Sequence, residues 1–133
     1  MNTIPENFRD LFHPETKAIA VLATLMKDGS PQITPLWFSW DGQCIVVNTA
    51  KGRVKDRNMR ERPLVALAIL DPLVSTRYIQ IRGKIIEINE NKSDAEAHIN
   101  ALSLKYDGKP WQIVEGQTRV IFRIMPEHVN TQQ

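Results

Sequence analysis

Six basic side chains crowd one short segment: in NTAKGRVKDRNMRERP, residues 48–63, Lys51, Arg53, Lys55, Arg57, Arg60 and Arg62 follow an apolar run. Such a cluster can serve as a solvated helix face, a nucleic-acid patch or a cradle for a small anion. The segment starts at Gly52 and reads as a helix over 52–62. A helix N-terminus presents unpaired N–H groups and a partial positive charge, and so attracts phosphate or carboxylate. Just upstream, Asn48 offers an amide and Thr49 a hydroxyl. Arg53, Arg57 and Arg60 share one face at i, i+4, i+7, with Lys55 on another. A solvated face would interleave acids to gain i, i+4 pairs, whereas Arg53 meets Arg57 at i+4 and is repelled by a few tenths of a kcal/mol. With Asp56 and Glu61 as its acids, residues 51–62 carry +4 and the rest of the chain −2, for a net charge of only +2. A local cation cluster on a near-neutral chain suits a focused anion site better than a surface that wraps nucleic acid.

The second chemical stretch is ITPLWFSWDG, residues 33–42. Trp37, Phe38 and Trp40 stand together, and neighbouring strand side chains alternate faces, so one of Trp37 and Phe38 can be core while the other meets a ligand. Ordinary aromatic core is the competing reading. Pro35 removes a ladder donor, which marks an edge, a bulge or a close approach of ligand to backbone. Side chains able to do chemistry unaided are few. His13, His98 and His128 lie far apart and in no metal-ligand spacing, so no metal site is expected. No serine sits in a nucleophile-elbow context, and there is neither GxGxxG nor a P-loop. Cys44 lies in the apolar run CIVV and reads as a buried, inert thiol. An enzyme built from these residues would leave the reaction to a bound cofactor.

The elements that must position these groups are legible along the chain. Its 133 residues suit one domain, 1–133, with a real core. No apolar run reaches the roughly 20 residues of a membrane span, and MNTIPENFRDLF does not read as a secretory signal, so a cytoplasmic protein is expected. PENFRDLF (5–12) predicts a short helix with Pro5 at its start. KAIAVLATLM, QITPLWFSW and CIVVNT predict three strands joined by turns at KDGSP and DG, a meander. Pro63 stops the basic helix and LVALAIL (64–70) follows as a strand. In RYIQIRGKIIEI (77–88) the apolar set changes phase from Ile79, Ile81 and Ile85 to Ile86 and Ile88, which predicts a bulge or bend at Gly83. Residues 93–106 predict a helix with a Ser93–Glu96 capping box and a buried stripe of Ala95, Ile99, Leu102 and Tyr106. RVIFRIM (119–125) is a last strand closed by Pro126. About six strands and two or three helices without regular alternation predict an α+β, mainly β fold: an antiparallel barrel with helices outside.

The order of these pieces resembles the pyridoxamine 5'-phosphate oxidase-like split β-barrel flavoproteins, and within them the small coenzyme F420-dependent oxidoreductase branch. The resemblance rests on 23–42, VVNTAKGRVKDRNMRERPLVALAI (46–69) and YIQIRGKIIEI (78–88), well over half of the chain. It implies a six-stranded split barrel and a homodimer with two cofactor sites at the subunit interface. The ring of a flavin or deazaflavin would rest against Pro35, Leu36, Trp37 and Phe38. Its phosphate-bearing tail would run toward Asn48, Thr49, Arg53, Lys55, Arg57 and Asn58. Arg82 with Gly83, and Lys109, Pro110 and Trp111, would come from the partner subunit. The implied activity is hydride transfer to a small electron-poor molecule, with no assigned general acid beyond solvent, Tyr78 or Arg82. Six basic residues in 51–62 fit the longer anionic tail of F420 better than the single phosphate of FMN. Neither a nucleic acid nor a membrane is expected as a partner.

Overall fold

A computed structural model describes residues 4–132. A short 3-10 helix (Glu6–Phe12) precedes β1 (Ala20–Leu25), β2 (Pro31–Leu36), β3 (Ser39–Trp40) and β4 (Ile45–Ala50). Helix α1 (Val54–Glu61), β5 (Leu64–Leu70), β6 (Tyr78–Asn89), helix α2 (Lys92–Asp107) and β7 (Arg119–Gln132) follow. The strands form one seven-stranded sheet in the order β2-β1-β5-β6-β7-β4-β3. Every pairing is antiparallel.

This order replaces the expected meander. β1 and β2 form a hairpin and β3 pairs with β4, but β2 and β3 lie at opposite edges of the sheet. Only Trp37 and Phe38 separate them in the chain. Three Cα–Cα steps span at most about 11 Å. The two edges must therefore meet, and the sheet curls into a split barrel closed by a two-residue step. The stretch expected as one strand over 32–40 is broken there, which is why seven strands are found rather than six.

Two further expectations fail, the first for a tertiary reason and the second for a local one. Pro126 does not end β7: it sits opposite Gly83 where the β6–β7 register shifts, so its missing N–H falls at a bulge and the strand continues to Gln132. Gly83 is required there, because a Cβ would lie 2.6 Å from the Met125 carbonyl oxygen. The second shift, between Ile85 and Glu87, matches the change of apolar phase in the sequence. Helix α2 is capped by Asn91, whose side chain accepts from the Asp94 N–H, not by a Ser93–Glu96 box. Its stripe is placed as expected, with Ala95, Ile99 and Leu102 buried and Tyr106 half-buried.

The interior is filled from β1, β4, β5, β6 and β7 by Leu22, Val47, Leu67, Ile81, Phe122 and their neighbours. Phe8, Leu11 and Phe12 of the 3-10 helix join this core. Phe12 meets Phe38 and Trp40 edge-on, with ring centroids 5.9 and 5.1 Å away. Among the described residues no helix is long and apolar enough to cross a membrane.

Candidate functional site

The cavity that gathers the chemistry is built from five elements. β2 and the step after it supply Thr34, Pro35, Leu36 and Trp37; β4 supplies Asn48, and the start of α1 supplies Arg53 and Lys55. Helix α2 adds Ile99 and Leu102, the following loop Trp111, and the first residue of β7 is Arg119. The cavity is open to solvent and its volume is about 310 Å³.

One wall is aromatic. Trp37 stacks parallel on Tyr106 of α2 at 5.4 Å and meets Trp111 edge-on at 6.4 Å. The loop carrying Trp111 is tied to its own chain, since the Trp111 N–H donates to Asn100 Oδ1 and Ser103 Oγ to the Lys109 carbonyl. Trp111 thus lines the site of its own subunit, contrary to the expectation that a partner brings it. Lys109 and Pro110 are not part of the lining.

The other wall is cationic. Gly52 bends the chain out of β4 with φ +95°, a conformation that favours glycine, and donates its N–H to Asp56 Oδ2 at 2.9 Å. Arg53 is the N-cap in extended backbone, so it does not belong to the helical face that the spacing suggested. That geometry lets Arg53 and Lys55 face the cavity together with Arg119. Among the described residues none of these three has a carboxylate partner. Burial pulls the Lys55 ammonium below its ordinary value, helped by Arg53 and Arg119. Burial, then Arg53, brings Arg119 down to about 10. Arg53 is exposed, Lys55 half-buried and Arg119 buried, and crowding of like charges of this kind is relieved when an anion arrives.

The remaining cations of the basic segment are occupied elsewhere. Lys51 and Arg60 both hold Glu90, and Arg60 also holds Asp56. Arg62 bonds Glu61, the Leu25 carbonyl and Asn58, and exposed Arg57 bonds the Gly52 carbonyl. Of the six cations in 51–62, two face the cavity, and this removes the charge-count argument for a long tail.

A polar network runs beneath the cationic wall. Arg119 Nε donates to Asn48 Oδ1 at 2.9 Å, which fixes the amide, so Asn48 Nδ2 donates to the Ala95 carbonyl and to His98 Nδ1, both at 3.1 Å. His98 Nδ1 is therefore an acceptor and its Nε2 carries the proton, which it gives to Ser39 Oγ at 2.9 Å. Burial, then the nearby Arg119 charge, pushes His98 down to about 4. In this tautomer His98 cannot take a proton from Ser39, so the pair is structural and not a nucleophile with its base.

Several expected site residues lie elsewhere. Phe38 is wholly buried in the core, whereas Trp37 lines the cavity. Thr49 is 1% exposed and absent from the cavity lining. Its Oγ1 is buried without a hydrogen-bond partner among the described residues. Asn58 is buried and structural, donating to Thr24 Oγ1 and Met26 Sδ. Arg82 lines a separate surface groove of about 410 Å³ with Ala23, Leu25, Pro31, Leu64 and Gly83. Cys44 is buried and its thiol pushed up by desolvation. Sequence reasoning missed Arg119, Thr34 and the Asn48–His98 link. An arginine opening an apolar strand, in RVIFRIM, was the available signal for the first.

The residues present fit a flat, anionic, partly aromatic guest: Trp37, Trp111, Pro35, Leu36, Ile99 and Leu102 offer apolar surface, and three cations without carboxylate partners line the same cavity. Comparison with known proteins places the fold. An F420 reductase of solved structure is 30% identical, with a TM-score of 0.83, covering 96% of this chain and 98% of its own. A conserved hypothetical protein from Mycobacterium tuberculosis (22% identical, TM-score 0.75, 98% and 86% covered) and General Stress Protein 26 from Bacillus anthracis (19%, 0.69, 95% and 94%) share the fold. Among curated protein sequences no match was found. The sequence profile of the pyridoxamine 5'-phosphate oxidase family matches residues 4–133, and the chain belongs to that family.

Proposed function

We propose that the protein is an F420-dependent oxidoreductase that exchanges hydride between the deazaflavin and a small electron-poor organic molecule. The observation that carries this reading is the convergence of Arg53, Lys55 and Arg119, none with a carboxylate partner, beside the Trp37–Trp111 wall of one cavity. When bound, the cofactor supplies the hydride chemistry that no side chain here provides. Arg53, Lys55 and Arg119 hold the anionic tail. Asn48, locked by His98 and the Ala95 carbonyl, aims the Arg119 guanidinium. Trp37 and Trp111, with Leu36 and Pro35, orient the ring and keep water from its face. The likeness to the F420 reductase supports this choice of cofactor.

FMN is the second reading, and a specific observation favours it: three cations at the cavity suffice for a single phosphate. Titration of the protein with F420 and with FMN, followed by tryptophan fluorescence, separates the two. Micromolar or tighter F420 binding with FMN silent supports the first reading, and the reverse supports the second. The failure of bound reduced cofactor to react with any of a panel of quinones, enones and nitroaromatics would leave a carrier without turnover.

A homodimer belongs to the same proposal. The β1–β5–β6 face is lined by small and apolar residues, Val21, Ala23, Ala66 and Ala68, with Ile33 68% and Leu64 57% exposed beside it. A contiguous patch of that kind is suited to a second copy, and Arg82 lies within it.

A further inference from the structure

A second hydrogen-bond chain leads into the cavity from the end of α1 through β1 to β2, and its direction is fixed. Arg62 can only donate, and its Nη2 lies 3.1 Å from Asn58, which must present Oδ1 to it. Asn58 Nδ2 then donates to Thr24 Oγ1 at 3.0 Å. Thr24 is 1% exposed, so its own proton needs an acceptor inside the protein, and Gln32 Oε1 at 3.0 Å takes it. Gln32 is thereby oriented with Nε2 toward Thr34 Oγ1, to which it donates at 3.0 Å. Thr34 lines the cavity. Its oxygen accepts from Gln32, and among the described residues no group accepts its proton. Four successive donors, starting from a guanidinium, end in a hydroxyl whose hydrogen is left for the cavity.

We propose that Thr34 Oγ–H is a positioning donor for the guest: it donates to an uncharged acceptor, a ring carbonyl oxygen or ring nitrogen of the planar group held against Trp37 and Trp111. The cationic wall binds the tail through charge, which leaves the ring free to slide along an apolar surface. A single directed donor from β2 fixes its register. Thr34 differs from Arg53, Lys55 and Arg119 in selecting for the ring and not for the anion. The inference rests on the proposed cofactor reading.

The test uses the full chain with F420 and FMN as probes. Thr34→Val keeps the shape and removes the donor; Thr34→Ser keeps the donor. Thr24→Val is the test of direction, because it frees Gln32 to turn its Oε1 toward Thr34 and capture the proton without any change in the lining. Thr34→Val is expected to weaken cofactor binding about tenfold, the scale of one lost hydrogen bond, and to shift the visible absorption band of the bound ring. Thr24→Val should reproduce the band shift, Thr34→Ser should restore both properties, and thermal melting confirms that each variant is folded. Unchanged affinity and an unchanged spectrum in Thr34→Val would overturn the inference while leaving the cofactor reading intact. A wild-type protein that binds neither F420 nor FMN would overturn the cofactor reading, and the ring acceptor with it.

Discussion

Histidine 98 offers the sharpest test of the polar network, because its proton inventory has been deduced from geometry. Nδ1 accepts from Asn48 and Nε2 donates to Ser39, so the ring has no place for a second proton without turning Asn48 away from Arg119. Burial, then the Arg119 charge, lowers its pKa from the ordinary 6.5 to about 4. The sign follows: the unfolded chain takes up a proton below 6.5 and the folded chain does not until about 4. Stability is therefore full above 6.5, falls as pH drops through that window, and levels off below the folded value. Proton linkage with these two values gives a loss of about 2 kcal/mol between pH 7.5 and pH 5. Other acids contribute slopes of their own. Asp41 and Glu90 are held below their usual range by hydrogen bonds and nearby cations that outweigh burial, and both are common to any pair of variants. The assay is thus a difference: urea unfolding of wild type and His98→Gln at several values from pH 7.5 to pH 5. The variant should lose about 2 kcal/mol less over that range. Parallel curves would show that His98 titrates normally and that the deduced tautomer, with the orientation of Asn48 and Arg119, is wrong.

Further outcomes follow from the same contacts. Lys55→Ala and Arg119→Ala should each weaken F420 binding by roughly 1–3 kcal/mol, the cost of a lost charge-assisted partner, whereas Arg57→Ala should leave the titration unchanged. Phe38→Ala, emptying a wholly buried ring site, should lower unfolding free energy by about 3–5 kcal/mol in urea denaturation. Gly83→Ala forces a Cβ to within 2.6 Å of the Met125 carbonyl oxygen and should lower the urea midpoint by an amount equivalent to about 1–3 kcal/mol. Light scattering at micromolar concentration should give twice the chain mass, and Ala66→Arg, placing a charge in the apolar sheet face, should give the monomer.

What the sequence revealed of this molecule divides along the range of the interactions involved. β5 over Leu64–Leu70 is read to the residue because Pro63 and the Asp71–Pro72 turn bound it locally. The bulge at Gly83 is legible because a change of apolar phase is written in the strand itself. By contrast, nothing local in ITPLWFSW marks the break at Trp37–Phe38. The break exists because the two edges of a curled sheet must be joined there. Pro126 misleads for the same reason: as a local signal it stops a strand, while opposite Gly83 it merely fills a bulge. The site divides likewise. The sequence predicts an anion cradle beside the start of α1 from Asn48, Thr49 and the crowded cations, with Arg53, Arg57 and Arg60 on one face and Lys55 on another. Which charges face the guest is decided by partners far away: Glu90 engages Lys51 and Arg60, and the pairing of Ala50 with Arg119 brings in a cation from near the end of the chain. Composition of a segment thus constrains the kind of ligand. The number of charges that ligand meets is set by the fold, and here that number falls to three, too few to choose between one phosphate and a longer anionic tail. Selectivity for a ring would then come from uncharged groups, and Thr34 presents its one unspent hydrogen to the cavity.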